Sequence, residues 1–272
     1  IFDTHTVDVL GMNFAIPGVG LGVVGAAIGT ASAELVAASI TMYILCFRSK
    51  ELSLKIDRGR FLPTWQVVRR ALHIGLPMGI QQTIMTSAYI VTTIIIAPLG
   101  TFAIAANSFG IIVESLCYMP GYGVSDAATT LVGQSMGAGR NELMKRFAWL
   151  SVALGMGIMT LMGIVMYVGA PFAMAMMTPS EEVRQLGVEI LRIEAFAEPM
   201  FGAAIISYGV FVGAAKTVAP SVMNLISMWG VRITLAALLA PSMGLKGVWL
   251  AMCLELTFRG VIFLVKLKLW KR

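Results

Sequence analysis

The sequence predicts an all-α polytopic membrane protein of about seven transmembrane helices, and three observations carry that prediction. Hydrophobic residues make up 58% of the 272 and charged ones only 12%, against roughly half apolar and about one quarter charged in soluble domains. The mean hydropathy is +0.84, so a water-soluble fold would have nothing to cover its surface, whereas a bilayer supplies the missing apolar solvent. The apolar residues also come in runs of about 20 or longer without alternation, which is the pattern of spanning helices and not of barrel strands. The net charge of +6 does not point to nucleic acid, because the cations sit in loops between apolar runs, as membrane topology requires. Cys46, Cys117 and Cys253 lie within apolar runs at no ligand spacing, so neither a disulfide framework nor a zinc site is expected.

Taken in order, residues 1–16 (IFDTHTVDVLGMNFAI) lack an initiating methionine and a basic leader, and Ile1-Phe2 reads as the tail of a helix already in progress. A first span is expected over about 17–47, with Glu34 near its middle. The connector 48–70 carries seven Lys or Arg and is the natural boundary between two parts of the protein. Six more spans are expected at about 71–98, 102–132, 147–176, 183–213, 219–240 and 245–267.

The loops between spans alternate in charge. Arg140, Lys145 and Arg146 share one side with Lys216 and with the terminal Lys266, Lys268, Lys271 and Arg272. The other side carries Glu181, Glu182 and little cation. The positive-inside rule therefore places the connector and the C-terminus in the cytoplasm and residue 1 outside. An odd number of spans starting outside is best explained by a chain that lacks earlier helices. An internal echo agrees: Gly22-Val23-Val24-Gly25 precedes Glu34 by nine residues, and Gly244-Leu245-Lys246-Gly247 precedes Glu255 by eight. This marks the sixth helix of each of two six-helix repeats, unless glycine pairs at helix starts recur by chance.

Ionisable residues inside spans are costly, roughly 2.5–3.5 kcal/mol each at the bilayer centre on insertion scales. Seven fall there: Glu34, Glu114, Glu194, Glu198, Arg232, Glu255 and Arg259. Glu255 and Arg259 stand four apart on one helix, so an intrahelical ion pair accounts for both. Glu194 and Glu198 are also four apart and share a face, and Pro199 should kink the helix beside them. Measured from the outer side, Arg232 lies about 12 Å deep, Glu194 about 16 Å and Glu198 about 22 Å at 1.5 Å per residue. A bridge from Arg232 to either acid is thus geometrically open. Two carboxylates facing one arginine leave a surplus acid, suited to carrying a proton or exchanging it for a cation. Glu198 leads this assignment, followed by Glu194, with Glu114 and Glu34 secondary. Asp126 is expected at a helix end or gate.

Tyr208 lies on the Glu194–Glu198–Phe201–Ile205 stripe and could offer its ring to a cationic substrate, as could Trp229, although core packing is the commoner fate of either. Gln81, Gln82 and Asn107 suit bonds between helices. The pairs Gly18/Gly22, Gly75/Gly79, Gly133/Gly137 and Gly209/Gly213 suit close helix contact. Enzyme chemistry is not expected: His5 and His73 lie at or outside span ends, and no nucleophile–base pair or metal-ligand set falls within the spans.

From about Gly18 onward the sequence resembles the multidrug and toxic compound extrusion (MATE) transporters. The motifs that carry the resemblance are Gly22-Val23-Val24-Gly25-Ala26-Ala27, His73-Ile74-Gly75-Leu76-Pro77 with Gln81-Gln82, and 103–107. They continue with Pro120-Gly121-Tyr122-Gly123, the run 127–139, Glu198-Pro199, 209–217 with Pro220, and Trp229-Gly230-Val231-Arg232. Where the family has Leu-Arg-Gly-Ala-Gly-Asp-Thr, this chain has Phe211-Val212-Gly213-Ala214-Ala215-Lys216-Thr217, losing a basic–acidic pair of the inner gate. The resemblance implies twelve helices in two six-helix lobes, of which residues 1–47 would end the first, 48–70 would connect the lobes, and 71–272 would form the second. It implies a multi-pass protein of the plasma (inner) membrane that exports small cationic or amphipathic molecules by antiport with Na⁺ or H⁺. No cofactor is implied, and the missing N-terminal lobe of the same polypeptide would be the partner. A lipid-linked saccharide flippase of the same superfamily is the alternative within transport, and a non-transporting membrane subunit or degenerate fragment the alternative outside it.

Overall fold

The computed structural model describes residues 5–9, 12–16, 22–48 and 64–270. Ile1-Phe2, most of the basic connector and Gly18 therefore lie outside the described residues. The chain divides into two compact units, Ile1–His73 and Ile74–Arg272.

In the first unit, strands β1 (His5–Val9) and β2 (Met12–Ile16) pair antiparallel, with Asp8 opposite Asn13 and Val9 opposite Met12. Thr6, Val7, Val9 and Phe14 favour such a ladder, which the helical reading of the sequence did not include. Helix α1 (Gly22–Tyr43) continues as a π-helical turn over Ile44–Arg48. Leu35, Val36 and Ile40 on α1 are more than half exposed, as apolar side chains are when lipid is the solvent. Helix α2 (Trp65–Ile96) begins in this unit.

The second unit continues α2, which closes in a 3₁₀ turn at Ala97–Leu99. Then come α3 (Thr101–Gly137), α4 (Asn141–Met177), α5 (Glu181–Glu194), α6 (Glu198–Gly213), α7 (Val218–Ile226), α8 (Thr234–Met243) and α9 (Leu245–Lys268). A π-helical segment, Ser227–Ile233, joins α7 to α8. Among the described residues, five helices are long and apolar enough to cross a membrane, or six if the bent α5–α6 pair is one span. The first predicted span is present as α1 but is not one of these.

Helix α6 is the hub, packing against α3, α4 and α9. All but one of its residues from Phe201 to Phe211 are buried, whereas Leu150, Leu161 and Val168 on α4 are exposed and form an apolar outer face. The α3–α6 seam is close because Gly209 and Gly213 carry no Cβ. One at Gly209 would meet the Ser125 carbonyl at 2.7 Å, and one at Gly213 would meet the Thr129 backbone. Ser125 Oγ donates to the Ile205 carbonyl at 3.1 Å and Thr129 Oγ1 to the Gly209 carbonyl at 2.9 Å, hydroxyl bonds of the kind that join helices where water is absent. Gly133 faces the Gly213 carbonyl, but Gly75, Gly79 and Gly137 face open space, so spacing alone overstated their role in packing.

Candidate functional site

The stretch predicted as one kinked helix over 183–213 is two helices bent by 60°. Helix α5 ends at Glu194 and α6 begins at Glu198, with 195–197 in a turn between them. Pro199 enforces the break because it has no N–H to give the Ala195 carbonyl and its ring opposes a helical approach. The chain closes the turn with Ala197 N–H on the Glu194 carbonyl and Phe201 N–H on the Ala197 carbonyl, both at 2.8 Å. Helix α4 comes against the break at Gly163, where a Cβ would meet the Ala195 carbonyl at 2.8 Å and Glu198 Cβ at 3.1 Å.

Both acids at the break are 0% exposed. Among the described residues, all four of their carboxylate oxygens lack a hydrogen-bond partner. Glu114 is buried on α3, which packs against both α5 and α6. Three buried carboxylates thus come from the low-dielectric interior of this group of packed helices. An unpaired charge there is far more expensive than in water, so such a group is stable only if it holds a proton or a cation.

Arg232, in the π-helical segment, is 9% exposed. No ion pair joins it to Glu194 or Glu198 among the described residues. Its guanidinium lies 5.7 Å from the Tyr89 ring centre, near the sulfurs of Met228 and Met252, and its Nε is unpartnered. The bridge that helix depth left open is thus not made, because depth fixes height along the membrane and not azimuth. The i,i+4 pair is made: Arg259 Nε donates to Glu255 Oε1 at 2.7 Å and Nη2 to Oε2 at 2.8 Å. Ser227 Oγ also donates to Glu255 Oε1, a partner that sequence spacing could not supply.

A cavity of about 420 Å³ is lined from α2, α3, α6, α7 and α9, and none of the three acids is among its lining residues. Phe201, Ile205 and Tyr208 of the predicted stripe line it, together with Tyr89, Tyr122, Gln81, Gln82, Asp126 and Arg259. Phe201 links it to the acids' surroundings, its ring 5.6 Å from that of Tyr118. The Tyr208 hydroxyl donates to Gln81 Oε1 at 3.2 Å. Asp126 lines the cavity, and Tyr89 and Tyr122, not singled out as ring donors, do too; the Pro120-Gly121-Tyr122-Gly123 motif was the signal for the second. Trp229 stands apart from the lining, donating its Nε1–H to the Ile84 carbonyl at 3.3 Å. Asn107 accepts from Trp249 Nε1 at 3.0 Å. Glu34 is exposed on α1 in the first unit. Among the described residues, no three His, Cys, Asp or Glu side chains gather as metal ligands.

Comparison with known proteins identifies relatives of the chain. The sequence model of the MatE family matches residues 77–238. A probable multidrug resistance protein NorM from Xylella fastidiosa is 32% identical over 203 residues, covering 74% of this chain and 43% of that protein. A probable NorM from Thermotoga maritima is 27% identical over 250 residues, covering 90% and 53%. The fold is similar to that of a MATE protein crystallised in complex with MaL6, with a TM-score of 0.78 at 18% identity over 92% of this chain and 56% of the other. The chain thus spans about half the length of the curated relatives it matches.

Proposed function

The chain belongs to the MatE family of multidrug and toxic compound extrusion transporters, and from that premise we propose that it forms one lobe of an exporter of cationic amphipathic compounds. The transport is antiport with Na⁺ or H⁺ across the plasma membrane, with Glu198 and Glu194 as the exchange site and Glu114 beside them. Residues 71–272 are the six-helix lobe, 48–70 the link between lobes, and 1–47 the end of the partner lobe, with the C-terminus in the cytoplasm. The observation that carries this reading is the group of four buried carboxylate oxygens without partners at the α5–α6 break, with Phe201, one turn along α6 from Glu198, in the lining of a cavity that also holds three tyrosines. A buried carboxylate that pairs with no side chain among the described residues is free to trade one cation for another. Tyr89, Tyr122 and Tyr208 offer ring faces to the substrate's charge, and Asp126 adds the cavity's acid.

A lipid-linked saccharide flippase would present cations to a phosphate-bearing substrate. Among the described residues the one cation lining this cavity, Arg259, is already held by Glu255, which favours the exporter. The test is Glu198→Gln in the complete transporter polypeptide, which keeps the shape and removes the exchangeable charge. Efflux of a fluorescent cationic dye is expected to fall at least about tenfold, the effect of losing roughly 1.4 kcal/mol of coupling, with the amount of protein in the membrane unchanged. Undiminished efflux would remove Glu198 from the exchange site.

A further inference from the structure

At the opposite end of the lobe from the acidic loop of α5, the first turns of α4 and the last turns of α9 meet in a cleft of about 220 Å³. It is lined by Lys145, Ala148, Trp149, Leu267, Lys268 and Trp270. Lys145 and Lys268 are exposed, and neither makes an ion pair among the described residues. A third cation approaches from the α6–α7 loop, with Lys216 Nζ 5.3 Å from the Trp270 ring centre. Trp270 also packs against Phe211, their ring centres 5.1 Å apart. The cleft is therefore a built feature, with ammonium groups from three helix ends arranged about an anchored indole.

Its position is as informative as its charge. Helices α4 and α9 are both candidate membrane spans, and the cleft sits where one begins and the other ends, the part of a span where Lys and Trp commonly meet lipid headgroups. Trp149 is 44% exposed there, and the apolar faces that run away from the cleft are bare: Leu150 is 66% exposed and Leu154 58% on α4, Val261 45% and Val265 49% on α9. Unpaired lysines, interfacial tryptophans and lipid-facing apolar flanks match the two halves of an anionic phospholipid. We infer that the α4–α9 cleft binds one anionic glycerophospholipid, its phosphate between Lys145 and Lys268 with Lys216 close by, and its acyl chains along the bare faces of the two helices.

The protein, purified whole in detergent, would be titrated with phosphatidylglycerol and with phosphatidylcholine, with adducts counted by native mass spectrometry. The wild type is expected to retain one phosphatidylglycerol at least about tenfold more tightly than phosphatidylcholine, and that preference is expected to weaken with added salt. Lys145→Gln with Lys268→Gln should lower phosphatidylglycerol affinity by about 10- to 30-fold, the worth of two interfacial lysines. Lys145→Arg with Lys268→Arg should keep it, and Lys246→Gln at the other end of the lobe should change nothing. Equal affinity of the wild type for the two lipids overturns the inference without recourse to any variant. So does full retention of phosphatidylglycerol by the double glutamine variant. Inorganic phosphate supplies the last arm: if it binds the cleft as tightly as phosphatidylglycerol does, the ligand is a free anion and not a lipid.

Discussion

Arg259 and Glu255 form a bidentate pair with almost no access to solvent, and Arg259 also faces the aromatic cavity. Such a pair gains little over apolar residues of the same size, but breaking it strands a charge, at about 3–5 kcal/mol. Arg259→Met alone is therefore expected to destabilise the lobe by about that amount, because among the described residues Glu255 keeps only its bond from Ser227. Arg259→Met combined with Glu255→Leu should recover most of the loss, a coupling that a double-mutant cycle of unfolding midpoints would read directly. Equal damage from the single and double changes would mean that the pair is not the source of the stability. This pair was legible in the sequence because its geometry is local: four residues on one helix fix both height and azimuth. Arg232 was legible only as a buried cation. Its turn toward Tyr89 and Met252 depends on how the π-helical segment rotates it against α2 and α9, which no spacing within one span encodes.

Among elements, α6 sets the positions of the others, and the break before it sets the position of the acids. The sequence marked the break through Pro199 but read it as a kink in a continuous helix. The rest of the geometry comes from α4, whose Gly163 admits the displaced Ala195 carbonyl. The small-residue pairs were readable as candidates for close packing, and the α3–α6 seam realises one of them. Gly75, Gly79 and Gly137 fall on open faces because the pattern specifies a groove and not its occupant. The seam offers a direct comparison. Gly209→Leu forces a side chain onto Ser125 and Thr129, which should cost about 1–3 kcal/mol or more by overpacking and remove the Thr129–Gly209 bond. Gly137→Ala meets open space and should leave stability within about 0.5 kcal/mol. Thermal unfolding of both variants in the same detergent would decide. A stable Gly209→Leu protein would show that the seam is looser than its hydrogen bonds require.

For the whole molecule, composition alone was enough to predict a helical membrane protein, because the excess of apolar side chains admits no other solvent. The site was only half legible. Burial of the acids followed from the length of the apolar runs, but their gathering from α3, α5 and α6 is a property of tertiary packing. Orientation rests on charge. Arg140, Lys145, Arg146, Lys216, Lys266 and Lys268 flank one end of the helices, while Glu181, Glu182 and Glu189 mark the other, with Arg184 and Lys246 engaged in ion pairs there. With that bias the cationic end should face the cytoplasm, which is also the leaflet whose anionic lipids the α4–α9 cleft would meet. In a background with Cys46, Cys117 and Cys253 replaced, Glu182→Cys should react with a membrane-impermeant maleimide in intact cells. Ala138→Cys, exposed beside the cations at the α3–α4 turn, should react only after permeabilisation. The reverse pattern would invert the lobe in the membrane, turn the cavity's surroundings outward, and remove the cytoplasmic leaflet as the source of the lipid.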